Sequence, residues 1–84
     1  MEIGVEISLY PLNADYIAPI QDFIDRLNAD GRFKVVTNSM STQVFGRYED
    51  IFGALSREIR QTFASNEKAV FVMKVLGPLA GAGA

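Results

Sequence analysis

The chain has 84 residues, of which 49% are hydrophobic and 21% charged, and its formal net charge at pH 7 is −2. This length predicts one small domain. The slightly acidic balance argues against a nucleic-acid-binding protein, which would normally carry a basic patch. The chain has neither cysteine nor histidine, which excludes disulfides, thiolate chemistry, the common zinc sites and histidine-based catalysis.

The first residues, MEIGVEIS, have neither the basic nor the apolar region of a signal peptide. The longest fully apolar run, residues 69–73, is far shorter than a membrane span. We therefore expect a soluble, cytoplasmic protein without membrane insertion. No acidic ligand loop of the calcium-binding type is present, so we predict no metal site.

The first half of the chain predicts a strand, a helix and a second strand. Apolar and polar residues alternate over residues 3–10, which is typical of a strand with one apolar face. Asn13 or Asp15 is a candidate cap for the following helix, and Gly31 is a candidate for its left-handed end. Residues 33–38 then form the second strand.

The second half predicts the same order again. Residues 41–48 form a strand that pairs with residues 33–38 as an antiparallel hairpin. Glu49 and Asp50 suit the first turn of a helix, in which Gly53 is expected to allow close packing on the sheet. A turn at Asn66 and Glu67 leads into the last strand, residues 68–76.

This βαββαβ order predicts an α+β fold, the ferredoxin-like sandwich. Its four-stranded antiparallel sheet should have the strand order 4-1-3-2, with both helices on one face. We expect residues 1–76 to form this single domain. Residues 77–84, with the sequence GPLAGAGA, are predicted to be a flexible tail with nothing to pack against.

The face without helices, called the open face, is predicted from the alternation of each strand. The core residues of the first strand are Ile3, Val5, Ile7 and Leu9, so the alternating residues Glu6, Ser8 and Tyr10 lie on the open face. On the third strand, the residues on the open face are Ser41, Gln43, Phe45 and Arg47. On the fourth strand, Val70 and Val72 are placed in the core and Phe71, Met73 and Val75 on the open face.

An apolar patch of this kind is typically covered. We therefore expect a homodimer or homotetramer that packs open faces together, and a ligand cavity at or beside that interface is compatible with it. Glu6 is costly to bury without a partner. It is expected either to form a salt bridge with Arg47 or Lys74, or to accept a hydrogen bond from a ligand amine or a protonated ring nitrogen.

Three segments resemble a known family: ISLYPL at residues 7–12, YIAPIQDFI at 16–24 and TNSMSTQVFGRYED at 37–50. Together they resemble the thiamine-binding, YkoF-like family over residues 3–76. The resemblance implies a ferredoxin-like fold, single domains assembled as dimers of dimers, and no catalysis. It also implies that the ligand is thiamine or its hydroxymethylpyrimidine part, with no further cofactor.

The resemblance suggests a ligand-binding role for residues near the hairpin. Short side chains that donate and accept hydrogen bonds could bind an aminopyrimidine. The candidates are the hydroxyls of Ser39, Ser41 and Thr42 and the amide of Asn38. Tyr10 or Phe45 would offer a stacking surface, Glu6 would meet the thiazolium charge or a ring nitrogen, and Ser8 lies beside them. Alternatively, Asn38 and Ser39 are ordinary turn residues, Thr42 packs in the core, and Tyr10 and Phe45 are oligomer contacts.

An oligomeric structural or regulatory domain without a ligand is the main alternative. An acylphosphatase-like enzyme has the same element order but wants an arginine in the loop after the first strand, where this chain has PLNA at residues 11–14. RNA recognition needs basic and aromatic strand signatures that are missing. We predict no enzyme activity and no nucleic-acid partner.

Overall fold

The computed structural model describes residues 1–65 and 68–80. Its elements are β1 (Glu2–Pro11), α1 (Ile17–Asp30), β2 (Lys34–Thr37), β3 (Thr42–Arg47), α2 (Tyr48–Ser65) and β4 (Ala69–Leu76). All strand pairs are antiparallel and the order is β2-β3-β1-β4, which confirms the predicted ferredoxin-like sheet. The predicted turn at residues 66–67 lies outside the described residues. Neither of the two helices in the described ranges is long and apolar enough to cross a membrane.

The core lies between the sheet and the two helices, as the alternation of β1 and β3 predicts. The four odd-numbered apolar residues of β1, from Ile3 to Leu9, are 1–8% exposed, and Thr42 and Val44 of β3 are buried opposite them. The helices close this layer mainly with Phe23, Leu27, Ile51 and Leu55. Each such side chain stabilises the fold by about 1.5–3 kcal/mol on burial.

The helix ends agree only in part with the sequence signals. Gly31 ends α1 with φ of 81°, the left-handed conformation predicted for it. Glu49 and Asp50 lie in the first turn of α2, also as predicted. The residue before α1 is Tyr16, with no side-chain cap hydrogen bond, so the predicted cap at Asn13 or Asp15 is wrong. Gly53 is exposed with open space around it, so it does not serve close packing.

The face assignment of β4 is wrong by one residue. Leu9 lies opposite Phe71, and Ile7 opposite Met73, so Phe71 and Met73 lie on the helix side. Phe71 contacts the rings of Phe23 and Phe63 at 5.0 and 5.5 Å between centroids. Both faces of β4 are apolar, so alternation cannot set its phase, which the pairing with β1 decides. The residues on the open face are therefore Val70, Val72 and Lys74.

The C-terminal tail folds back on β1 over the part that is described. The Leu79 amide donates to the Glu2 carbonyl at 2.8 Å. A Leu79 methyl carbon lies 3.7 Å from the place where a Cβ on Gly4 would stand. The prediction that the tail has nothing to pack against is therefore wrong for Leu79. Residues 81–84 of the tail lie outside the described residues.

Arginine side chains link the two helices on the outer side of the core. Arg26 of α1 donates to the Glu58 carboxylate at 2.6 Å, to the Glu58 carbonyl at 3.0 Å and to the Thr62 hydroxyl at 2.8 Å. Arg57 of α2 reaches back to Asp30 at 2.9 Å. The charged groups of both helices are thus paired where the helices meet.

This linkage predicts a pH dependence of stability. The Arg32 side chain donates to Asp30, and this hydrogen bond is the main reason that the pKa of the Asp30 carboxyl falls from 3.8 to about 2. The Arg32 backbone amide and the Arg57 side chain also lower this pKa, whereas burial raises it. The folded pKa lies below the unfolded one, so the stabilisation is present above about pH 4 and lost as the pH falls towards 2. We expect about 1 kcal/mol, since both arginines are half exposed. Urea denaturation between pH 5 and 2.5 should show Asp30→Asn less stable than wild type at pH 5, with the difference reduced by more than half at pH 2.5.

Candidate functional site

The candidate site lies where the pairing of β1 with β3 stops although β1 continues. The pairing of β1 with β3 stops at Ile7 and Thr42, while β1 continues to Pro11 paired with β4 alone. The hairpin loop, residues 38–41, therefore stands away from the end of β1. The start of α1 covers the gap from the helix side, and a cavity forms between these three segments.

The cavity has a volume of about 470 Å³, which lies in the range of small-molecule sites. Its walls are mostly apolar. Tyr16, Ile20 and Ile24 come from α1 and its preceding residue, Phe23 and Leu9 from the core, and Met40 from the hairpin loop. An apolar enclosure with a few polar groups can hold a flat organic ring and orient it.

The structure brings six of the eight predicted site residues together around this cavity. They are Ser8 and Tyr10 from the end of β1, and Asn38, Ser39, Ser41 and Thr42 from the hairpin. They lie close together because the end of β1 and the hairpin are at the same end of the sheet, on either side of the gap. Their role in ligand binding stays a prediction.

Phe45 lies at the other end of the sheet, outside the cavity lining. It is opposite Gly4, and its ring lies 3.0 Å from where a Cβ on Gly4 would stand. The position three residues beyond Thr42 on an extended strand is about 10 Å away. The assignment of Phe45 as a stacking residue in the same site is therefore wrong for this cavity.

Glu6 also lies outside the lining but is connected to it. The Ser41 hydroxyl donates to the Glu6 carboxylate at 3.1 Å, and the Lys74 ammonium lies 3.8 Å from the other carboxylate oxygen. The predicted salt bridge with Lys74 is confirmed. The Glu6 carboxylate is thus connected to the cavity lining through Ser41.

Asn38 builds the hairpin loop. Its side-chain oxygen accepts hydrogen bonds from the main-chain amides of Met40 and Ser41 at 2.8 and 3.1 Å. The main-chain amide of Asn38 donates to the Ser41 carbonyl at 3.1 Å. The turn alternative is thus correct for this oxygen, and the amide NH₂ is the part of the side chain left for a ligand. The core alternative is correct for Thr42, which is 5% exposed and shares a hydrogen bond with Thr37. Thr42 also lines the cavity, and its role towards a ligand stays a prediction.

The main chain of Leu9 adds a donor and an acceptor to the cavity. Main-chain groups of a strand alternate between its two neighbours: the Met1 carbonyl accepts from Tyr48 on the β3 side, and the Glu2 carbonyl from Leu79 on the β4 side. By this alternation, Leu9 directs its N–H and C=O to the β3 side, where pairing has ended. A planar ligand with adjacent donor and acceptor atoms fits such an edge.

Several lining residues were missed from the sequence. Ile7 and Leu9 were predicted only as core, because their alternation gives no sign that they also face a cavity. Tyr16 and Met40 are 54% and 84% exposed apolar residues in loop positions. Such exposure is a signal for a binding surface, but it requires the structure to be seen. Across residues 1–65 and 68–80, no acidic cluster has the arrangement to hold a metal ion.

Solved structures with the same fold come from several organisms. A hypothetical protein from Methanocaldococcus jannascii matches with a TM-score of 0.82 and 20% identity, covering 99% of this chain and 87% of its own. A protein from Streptococcus pneumoniae matches with a TM-score of 0.85 and 17% identity over 94% of this chain and 89% of its own. A Thermotoga maritima protein is called a "putative thiamine biosynthesis/salvage protein". It matches with a TM-score of 0.68 and 19% identity, covering 89% of this chain and 82% of its own.

At these identities the structural likeness shows the fold alone. No curated protein sequence matches the chain. The sequence itself matches the model of the YKOF-related family over residues 2–76, from the start of β1 to the end of β4. The chain therefore belongs to the YKOF-related family.

Proposed function

We propose that the protein is a non-catalytic binding protein for thiamine or its hydroxymethylpyrimidine part, held in the cavity between β1 and the hairpin. The observation that carries the proposal is the cavity of about 470 Å³, which joins apolar walls to a row of hydroxyls and amides. Family membership and the name of the Thermotoga maritima protein, which mentions thiamine biosynthesis or salvage, support the choice of ligand.

The polar groups suit an aminopyrimidine. Its exocyclic amino group donates and its ring nitrogens accept, so it needs acceptors and donors close together in one plane. The Ser41 oxygen and the Leu9 carbonyl are acceptors, and the Leu9 amide and the Asn38 NH₂ are donors. Ring faces would meet the apolar side chains of Tyr16, Ile20 and the core.

The lining favours binding without chemistry. Among the described residues that line the cavity, none is acidic, basic or a cysteine. The Ser41 hydroxyl is hydrogen-bonded to the Glu6 carboxylate, but this carboxylate lies outside the lining and is also paired with Lys74. We therefore propose no catalytic residue and no cofactor beyond the ligand itself.

We further propose a homodimer or homotetramer that covers the open face. Exposed apolar side chains lie together there, among them Tyr10, Val70 and Val72, which are 45–55% exposed. A ligand-free oligomeric domain would use the same face, so this patch alone favours neither function. The cavity supports the binding protein, because a ligand-free oligomeric domain does not need one.

Calorimetric titration with thiamine and with hydroxymethylpyrimidine tests the proposal. We expect saturable heat for at least one compound. Tyr16→Ala should weaken binding by about fivefold to tenfold, because it removes an apolar wall that is already half exposed and therefore matters little to folding.

Tyr48→Ala is the matched control. Tyr48 is 45% exposed, packs on Phe52 at 4.8 Å between ring centroids and lies outside the cavity lining. It should leave binding unchanged. No heat from either compound with the folded wild-type protein would end the thiamine proposal, and equal losses in both variants would show that the ligand binds elsewhere.

A further inference from the structure

We propose that Glu6 determines the ligand preference of the cavity without touching the ligand. Its carboxylate holds the hydrogen of the Ser41 hydroxyl, so the Ser41 oxygen presents only lone pairs to the cavity. The site then selects ligands that bring an N–H donor to this position. The inference rests on the proposed function and assigns the chemistry that the same cavity recognises.

The hydrogen bond between Ser41 and Glu6 has one direction. A serine hydroxyl has one hydrogen and two lone pairs, whereas an ionised carboxylate can only accept. The Ser41 oxygen lies 3.1 Å from a Glu6 carboxylate oxygen and donates to it. Its single hydrogen is therefore bound to Glu6, which lies outside the lining of the cavity that Ser41 lines.

The position of Glu6 keeps this arrangement in place. Glu6 is on the central strand β1, directly between Gln43 of β3 and Lys74 of β4. The Lys74 ammonium lies 3.8 Å from the carboxylate oxygen that Ser41 does not use, so each carboxylate oxygen has its own partner. The Glu6 side chain is 41% exposed and faces the open side of the sheet. It acts on the cavity through Ser41, which makes it a positioning residue.

The consequence is a preference for amino over oxo ligands. An amino group on a pyrimidine donates to the Ser41 oxygen, whereas an oxo group at the same ring position places two oxygen acceptors against each other. An unpaired acceptor in a partly buried site costs enough to change affinity by about tenfold to a hundredfold. Sites built to hydrogen-bond a particular group reject the analogue that lacks it for the same reason.

The test is calorimetric titration of hydroxymethylpyrimidine, which carries a 4-amino group, against its 4-oxo analogue. Wild type should bind the amino compound at least tenfold more tightly. In Glu6→Gln, the side-chain amide can donate to Ser41, which frees the hydroxyl to donate to the oxo compound. The preference should therefore fall to about threefold or less.

Two further variants identify the route. Ser41→Ala should also lose the preference, and Glu6→Gln added to Ser41→Ala should change it no further, because Glu6 acts only through Ser41. Glu2→Gln is the matched control, since Glu2 is another carboxylate of β1 on the same face and lies outside the cavity lining. This control should keep the wild-type preference.

The outcomes separate this inference from the proposed function. If wild type binds neither compound, the proposed function and the inference both fall. If wild type binds both compounds equally, or if Glu6→Gln keeps the wild-type preference, the inference is overturned while the binding function stands. A loss of preference in Glu2→Gln would also overturn it, because the effect would then be one of general charge.

Discussion

Replacement of Arg26 by alanine is expected to lower the free energy of unfolding by about 2–4 kcal/mol. Arg26 has its guanidinium hydrogen-bonded to the Glu58 carboxylate, the Glu58 carbonyl and the Thr62 hydroxyl. The Glu58 side chain is only 11% exposed, and removal of one partner of a buried ion pair leaves an incompletely paired charge. Burial raises the pKa of Glu58, but the side-chain hydrogen bonds from Arg26 and Arg57, with the charges of both arginines, outweigh it and lower that pKa.

Urea denaturation at pH 7 measures this effect. Arg60→Ala is the control, because Arg60 is an exposed arginine on α2, and substitutions at exposed positions usually change stability by less than about 0.5 kcal/mol. A loss below that value for Arg26→Ala would show that the linkage between α1 and α2 contributes little. The two helices would then be held mainly by apolar packing and by the Arg57–Asp30 ion pair.

Two glycine-to-alanine substitutions are expected to change stability in opposite directions. Gly46 on β3 faces Phe33, and a Cβ at Gly46 would lie 2.8 Å from the Phe33 Cβ and 3.3 Å from its Cα. These atoms cannot move away by a side-chain rotation, so the β2 end must shift. We expect Gly46→Ala to destabilise the protein by about 1–3 kcal/mol.

Gly53→Ala provides the matched comparison. Gly53 lies in α2 with no atom within 4 Å of an added Cβ, and alanine favours helix over glycine by about 0.5–1 kcal/mol. Thermal denaturation of both variants should show a higher midpoint for Gly53→Ala and a lower one for Gly46→Ala. A rise for both would mean that the approach of Phe33 to Gly46 is easily relieved.

The sequence predicts the central part of the fold well, and physical reasons explain why. β1 and β3 alternate cleanly because one face is buried and the other is not, so Ile7 and Val44 could be placed in the core directly. β4 is apolar on both faces, and its phase depends on pairing with β1, which no local pattern reveals. The contact of Leu79 with β1 depends on a chain reversal after β4, and a segment rich in glycine and alanine gives little sign of it.

The candidate site, like the fold, could be predicted from the sequence only in part. Ser8, Tyr10 and the hairpin residues could be grouped, because strand order brings the end of β1 next to the β2–β3 connection. Phe45 was grouped with them by face alone, without regard to its distance along the strand. The gap itself, and hence the cavity role of Leu9, follows from where the β1–β3 pairing stops. Pairing length is a property of the folded sheet that the sequence pattern leaves open.

Amide chemical-shift mapping during titration of ¹⁵N-labelled protein with thiamine tests the cavity most directly. We predict saturable shifts that are largest at Leu9, Ser41 and Tyr16, which line the cavity, and small at Lys34 and Phe45 at the other end of the sheet. Saturable binding with its largest shifts at Lys34 and Phe45 would contradict the cavity as the site. An unchanged spectrum at saturating thiamine and hydroxymethylpyrimidine would contradict the binding function itself.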